Sequence, residues 1–278
     1  MTTGRTLVLG GGGITGIAWM LGLLAGLAER GVDLRAADDI VGTSAGSVVG
    51  AQLATGVDVE ERYAAQLVDA TGEVASSVGP RTMLRLGLAL VGPRARVLAR
   101  IGAVARNTTT MPEPERIAVI GRRLPVHEWP DRSLRITAVD AFDGAFRVLD
   151  RHSGVPLVEA VASSCAVPGV FPAVTTGGTR YIDGGVRSPV NADLAAGAES
   201  VVVLAPIVRG IGPQVAAAEQ VDALRRTGPG GGRGPPAPAA GAASARNGRP
   251  PARRAGSARA GRAQAADVTG AIAAVWNG

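Results

Sequence analysis

The chain has no lysine: all 29 of its basic residues are arginine. It also has only one cysteine, Cys165, and two histidines, His127 and His152. A single cysteine excludes an intramolecular disulfide and suits a reducing compartment. The same scarcity excludes a structural zinc site of the Cys/His type. Aromatic residues make up 3% of the chain, so Val, Leu, Ile and Ala must fill any core. At 278 residues, 46% of them hydrophobic, one large α/β domain is the expectation. The missing lysine reads as a coding bias toward GC-rich codons and carries no functional message.

Acidic residues are missing from one stretch. Residues 223–266 hold nine arginines and no acid, and taking those nine from the formal +6 leaves −3 for the rest. The body is therefore mildly acidic, and a nucleic-acid partner is not expected. Residues 7–28 lack any charge, as a membrane span or signal peptide would. Gly10 to Gly13 and Gly16 interrupt that run, at about 1 kcal/mol per glycine in a helix, and no A-x-A-like cleavage site follows. The expected location is the cytoplasm, with peripheral membrane contact left open.

Residues 6–9 and 39–43 read as buried strands, each followed by a tight turn and a helix, over 17–30 and 47–55. This order predicts a three-layer α/β/α fold with a mainly parallel central sheet. A helix is expected over 60–71. Residues 81–106 are apolar and dotted with arginine; they form either a packed helix pair, a cap, or a surface that meets lipid. Strands are expected at 134–139, 145–149, 180–182 and 200–205, with a helix at 157–164. The domain expected to carry the function spans 1–225. Residues 226–264 are a Gly/Pro/Ala/Arg-rich low-complexity segment, either disordered or altered by a reading-frame shift. A short helix closes the chain at 265–278.

Three motifs carry chemistry. Gly42-Thr43-Ser44-Ala45-Gly46 is a G-x-S-x-G turn between a strand and a helix, which exposes a nucleophilic serine above a sheet edge. The residues from Gly10 to Gly16, again between strand and helix, hold a run of glycines whose amides suit a negative atom. That loop serves either a dinucleotide pyrophosphate, through Gly11, Gly13 and Gly16, or an acyl-transfer oxyanion. The dinucleotide use needs an acid at the end of the next strand, yet that strand ends in Thr43-Ser44, so the oxyanion is favoured. The third motif is Asp183-Gly184-Gly185 after a short strand. No histidine follows Asp183, so the order Ser, acid, His of an α/β-hydrolase triad is absent and a histidine-free dyad is favoured.

These motifs resemble the patatin-like phospholipase family, which has a glycine-rich oxyanion motif, a G-x-S-x-G turn and a D-G-[GA] motif in this order. Residues 162–172 are similar to that family's A-S-x-A-x-P-x-x-F-P segment. The resemblance covers about residues 5–206 and implies a Ser44–Asp183 dyad acting on a lipid or phospholipid acyl ester, with no metal or organic cofactor. It implies an oxyanion hole at Gly11, Gly12, Gly13 and Ala45, framed by Gly16, Gly42, Gly46, Gly184 and Gly185. One departure is Thr15, where the family often has Arg or Lys, so the head group is left open. Two other functions stand beside this one: a nucleotide-binding α/β protein using Gly11, Gly13 and Gly16, and a catalytically silent lipid-binding protein.

Overall fold

The computed structural model describes residues 4–68, 79–210, 212, 214–227, 237–240 and 254–277. Their centre is a mixed eight-stranded sheet. A parallel half runs β3 (Ser133–Asp140), β2 (Asp39–Gly42), β1 (Arg5–Leu9), β7 (Ser200–Ala205) and β8 (Ala237–Ala240). An antiparallel flank adds β4 (Phe146–Leu149), β6 (Thr179–Asp183) and β5 (Val174–Thr176). The expectation of a mainly parallel sheet thus holds for the centre, while the strand that ends in Asp183 belongs to the antiparallel flank.

Successive strand residues face opposite sides, and both sides are covered. Leu7, Leu9, Ile40, Ile136 and Leu204 share one core with α1 (Gly13–Ala28), α2 (Ala45–Ala54) and α7 (Leu157–Ser164). Val8, Val41 and Val203 face the other way, into a core with Val221 and Leu224 of α8 (Ala217–Thr227). On that same side Val139 and Ile182 pack under α4 (Pro80–Ala89) and α5 (Arg94–Arg106). The result is three layers.

The charge-free run at 7–28 is explained by α1. Twelve of its sixteen residues are buried, so it is apolar all round because it is covered all round. The sheet covers one side and α9 (Arg254–Trp276) the other. The two helices approach through small residues: a Cβ on Gly22 would lie 2.0 Å from the Ala258 carbonyl, and one on Gly261 2.1 Å from the Trp19 carbonyl. Polar contacts fix the register. Trp19 Nε1 donates to Gln264 Oε1 at 3.0 Å, Trp276 Nε1 donates to the Asp33 carbonyl at 3.0 Å, and Arg262 pairs with Glu29 and Glu60. No helix among the described residues is long and apolar enough to cross a membrane.

The terminal helix therefore begins at Arg254, well before the expected 265, so residues 254–264 are helical and not part of a structureless segment. The low-complexity expectation for 228–236 and 241–253 lies outside the described residues. β8 adds a short parallel edge strand within the same stretch, where Pro238 needs no outer partner. The stretch 81–106 is two helices broken at Val91–Pro93. The helix expected at 60–71 is α3 (Val59–Leu67); residues 69–71 lie outside the described set. Helix α6 (Glu113–Gly121) and strand β5 had no sequence expectation.

Candidate active site

The site forms where two strands stop head to head. Residues 136 and 138 of β3 pair with β4 on one edge, so their other edge carries both β2 and β6. β2 runs parallel to β3 and ends with Gly42 opposite Ile136; β6 runs antiparallel and ends with Asp183 opposite Ala138. Two residues of strand separate these ends, about 7 Å along β3. Thr137 fills the gap, with its hydroxyl 2.9 Å from Thr43 Oγ1.

Past Gly42 the chain reverses at once into α2. Ser44 takes φ 52 and ψ −117, a sparsely populated conformation for a residue with a side chain. Such strain costs roughly 1–3 kcal/mol and persists only when neighbours hold it. Here the Ser44 amide donates to Ser164 Oγ at 2.9 Å, and the Ser44 carbonyl accepts from the Ser47 hydroxyl at 2.7 Å and the Cys165 thiol at 3.3 Å. Gly46 sits hard against β1: a Cβ there would lie 1.9 Å from the Leu9 carbonyl oxygen.

The Ser44 side chain faces the Asp183 carboxylate closely enough to lower its pKa, and the Gly185 amide donates to Asp183 Oδ1 at 2.7 Å. Both side chains are buried, Asp183 at 4% exposure and Ser44 at 9%. Burial pushes the Asp183 carboxyl up from its ordinary 3.8 to about 6, against the lowering pull of the Ser44 and Gly185 hydrogen bonds and the Arg116 charge. The Arg116 guanidinium is itself buried, 3.5 Å from the Phe171 ring centroid.

The glycine loop faces the same point. Gly11 touches the serine, since a Cβ there would lie 3.5 Å from Ser44 Cβ. Gly13 has φ +59 and open space around it. The N-termini of α1 and α2 converge, with a Cβ on Gly16 reaching within 3.7 Å of Ala45 Cβ, so two positive helix ends meet beside Ser44. One expectation needs correction. The Gly11 amide is spent on the Pro189 carbonyl at 2.8 Å, as the Gly10 amide is on Leu204 at 2.9 Å. Gly11 shapes the loop and donates nothing to a ligand. The amides of Gly12, Gly13 and Ala45 have no acceptor among the described residues.

Several residues that hold this geometry carried no expectation of their own. Asn191, fully buried at φ 51, donates through Nδ2 to Thr43 Oγ1 at 3.1 Å, the Ser188 carbonyl at 3.0 Å and the Gly184 carbonyl at 3.3 Å. It thus ties the residue before the serine to the residue after the aspartate. Ser164 and Thr137 do related work from α7 and β3. A polar residue inside an apolar run, as at 162–172, was the one available hint. Burial raises the Cys165 thiol pKa, which leaves it a protonated packing residue.

Neither histidine approaches the dyad. His127 Nε2 lies 3.0 Å from the Gly121 carbonyl oxygen. His152 lines a surface cleft of about 310 Å³ with Trp129, Ser133 and Arg135, at the far end of β3.

Residues 7–196 match the family model described as patatin-like phospholipase. Among solved structures, VipD from Legionella pneumophila is similar at TM-score 0.44 and 12% identity, over 98% of this chain and 67% of that one. The type III effector protein ExoU is similar at TM-score 0.41 and 18% identity, over 96% of this chain and 53% of that one. The chain thus spans about two thirds and about half of their lengths. Among curated proteins, none matches the sequence.

Proposed function

Because the chain belongs to the patatin-like phospholipase family, whose members are lipid acyl hydrolases, we propose that it cleaves lipid acyl esters with a Ser44–Asp183 dyad. The observation that carries this reading is the meeting, at the ends of β2 and β6, of the strained Ser44 with the buried Asp183 carboxylate, whose pKa the serine side chain lowers against its burial. A free aspartate at about 3.9 is a feeble base for a serine hydroxyl. Raised to about 6, Asp183 is better matched to the task and still mostly ionised at neutral pH.

In this mechanism Asp183 takes the Ser44 proton as Oγ attacks the ester carbonyl. The tetrahedral oxyanion is held by the amides of Gly12, Gly13 and Ala45, and one such donor is worth ~2.7–4 kcal/mol. The proton passes from Asp183 to the departing alkoxide, leaving an acyl-serine. Water then attacks the acyl carbon as Asp183 takes its proton; the acyl–Oγ bond breaks, Asp183 returns that proton to Ser44 Oγ, and the fatty acid leaves. Every step uses side chains and backbone amides of the chain itself.

Thr15 stands where a basic residue would favour a phosphate, and its hydroxyl turns back to the Gly12 carbonyl at 3.3 Å. The proposed substrate is therefore a lipid acyl ester with no required phosphate. The nucleotide reading is weakened by the loss of the Gly11 amide to Pro189.

The experiment is fluorophosphonate labelling followed by hydrolysis of p-nitrophenyl acyl esters and a panel of neutral and phospholipid esters. Ser44→Ala should lose both labelling and hydrolysis, and Asp183→Asn should lose hydrolysis. Full activity in either variant refutes the dyad. Lipid binding with no turnover by the unaltered protein would instead mark a silent lipid-binding protein.

A further inference from the structure

Helix α4 has two apolar faces, and the described residues cover only one. Leu86, Ala89 and Leu90 point into the core with Ile182 and Val186, which flank Asp183 and its glycines. About 180° around the helix, at i and i+4, stand Leu84 and Leu88; Val91 lies just past the helix end, and Met83 borders the covered face, about 100° from Leu84. These four side chains are exposed at 65%, 63%, 66% and 58% respectively. They make up four of the nine large hydrophobic residues exposed among the described residues, which rules out chance scatter as an easy account.

The charge around this stripe has one sign. From residue 74 to residue 112 the sequence holds six arginines and no acid. Arg81 and Arg85 are exposed on α4 along one border of the stripe, and Arg96 is exposed on α5. The rest of the catalytic body is acidic overall, so the basic patch is local. An apolar stripe bordered by arginine matches the chemistry of an anionic lipid surface: acyl chains beneath, phosphates at the level of the guanidinium groups. Val167 and Ile207, exposed at 37% and 39%, directly follow in sequence Ala166, whose carbonyl accepts the Asp183 amide, and Pro206, which lies over Gly12.

We infer that the outer face of α4 docks the protein on an anionic membrane surface, with Leu84, Leu88 and Val91 entering the acyl region and Arg81 and Arg85 engaging lipid phosphates. This rests on the lipid acyl hydrolase reading and gives it a source of substrate: ester lipid drawn from a bilayer. The covered face of α4 is packed against the strand that carries Asp183, so docking places the bilayer about one helix diameter from that strand.

The test uses the full chain carrying Ser44→Ala, so that vesicle lipid is not consumed, in flotation with phosphatidylcholine vesicles and with vesicles of equal phosphatidylcholine and phosphatidylglycerol. Binding is expected to the anionic vesicles and to weaken with salt. Leu84→Gln with Leu88→Gln should cut it by about tenfold or more per leucine. Arg81→Gln with Arg85→Gln should cut it about fivefold per arginine on anionic vesicles and leave neutral ones unchanged. With Ser44 restored, both pairs should keep turnover of a soluble short-chain p-nitrophenyl ester within twofold and lose turnover of vesicle lipid. Should the leucine pair impair folding, Leu84→Gln and Leu88→Gln made singly, each expected to cut binding about tenfold, test the same face. Vesicle binding unchanged by these substitutions overturns the inference. So does a dimer that the leucine pair dissociates, because the face would then be a protein interface. Vesicle binding is read without turnover, so a failed hydrolase reading, seen as no ester cleavage, is distinguished from a failed docking surface.

Discussion

Asp183→Asn should make the folded chain more stable at neutral and alkaline pH while it removes the base. Burial raises this carboxyl from 3.8 to about 6, a shift of about 2 units at ~1.36 kcal/mol each, or about 3 kcal/mol. The carboxyl binds its proton more tightly folded than unfolded. Its stabilising contribution is therefore complete below the unfolded value of 3.8 and is lost as the pH rises through about 6. Above that, the ionised group is held in the site at a cost of about 3 kcal/mol, which asparagine does not carry. Asparagine keeps an oxygen to accept the Gly185 amide, so the local hydrogen bond survives. Urea unfolding followed by tryptophan fluorescence, at about pH 4 and about pH 8, measures the effect. The stability of the variant relative to the parent should rise by about 2.4 kcal/mol between those two values, since part of the contribution is already lost at pH 4. Over the same interval the parent's kcat/KM should climb as Asp183 loses its proton, with a midpoint near 6. A stability difference that stays flat with pH would refute the claim that Asp183 is held against its own desolvation.

Three further substitutions probe the frame. Gly46→Ala forces a Cβ into the Leu9 carbonyl, 1.9 Å away, so backbone must move and the turn opens; activity should vanish with about 3 kcal/mol or more lost in urea unfolding. An active, stable variant would contradict the tight packing of that turn on β1. Asn191→Ala leaves the acceptors on Gly184, Ser188 and Thr43 without their donor and should cost about 1–3 kcal/mol. Its kinetic mark is a fall in kcat with KM little changed, since Asn191 positions the dyad and does not touch substrate; a pure KM effect would count against this. Gly261→Val pushes a side chain into the Trp19 carbonyl, 2.1 Å from the Cβ position, and should loosen α9. Faster hydrogen exchange along α1 reports that loosening, and unchanged exchange would deny the packing of α9 on α1.

Much of the site could be read from the sequence because its chemistry is local. A strand, a turn that admits only glycine at its flanks, and a helix are contiguous at 39–54, so Ser44 announces itself. The glycine loop after β1 does the same, and the lack of any histidine beyond Asp183 narrows the base before any contact is known. Residues that act across the fold gave little sign. Asn191 and Ser164 are short polar residues whose work consists of hydrogen bonds to Thr43 and Ser44, far away in sequence. Gly11 looked like a donor because it lies in a run of glycines; only the position of the Pro189 carbonyl shows its amide to be occupied.

The terminal helix shows the same divide. Apolar bulk is what a sequence reading uses to find a packed helix, and residues 254–264 have almost none. Helix α9 packs instead by closeness, with Gly22, Gly26 and Gly261 letting two backbones meet, and closeness is a property of a pair of helices and of neither alone. Similarly, α4 reads simply as amphipathic until the sheet claims one face and leaves Leu84 and Leu88 on the other.

The sequence alone determined the parallel strand-turn-helix units, the G-x-S-x-G turn at Ser44 and the lack of any histidine after Asp183, because backbone conformation and residue type act within a few positions. Only the tertiary structure decided that β2 and β6 end head to head on one edge of β3, so that Ser44 meets Asp183, and that burial lifts the carboxyl to about 6. Strand pairing and desolvation depend on parts of the chain that are neighbours only after it folds.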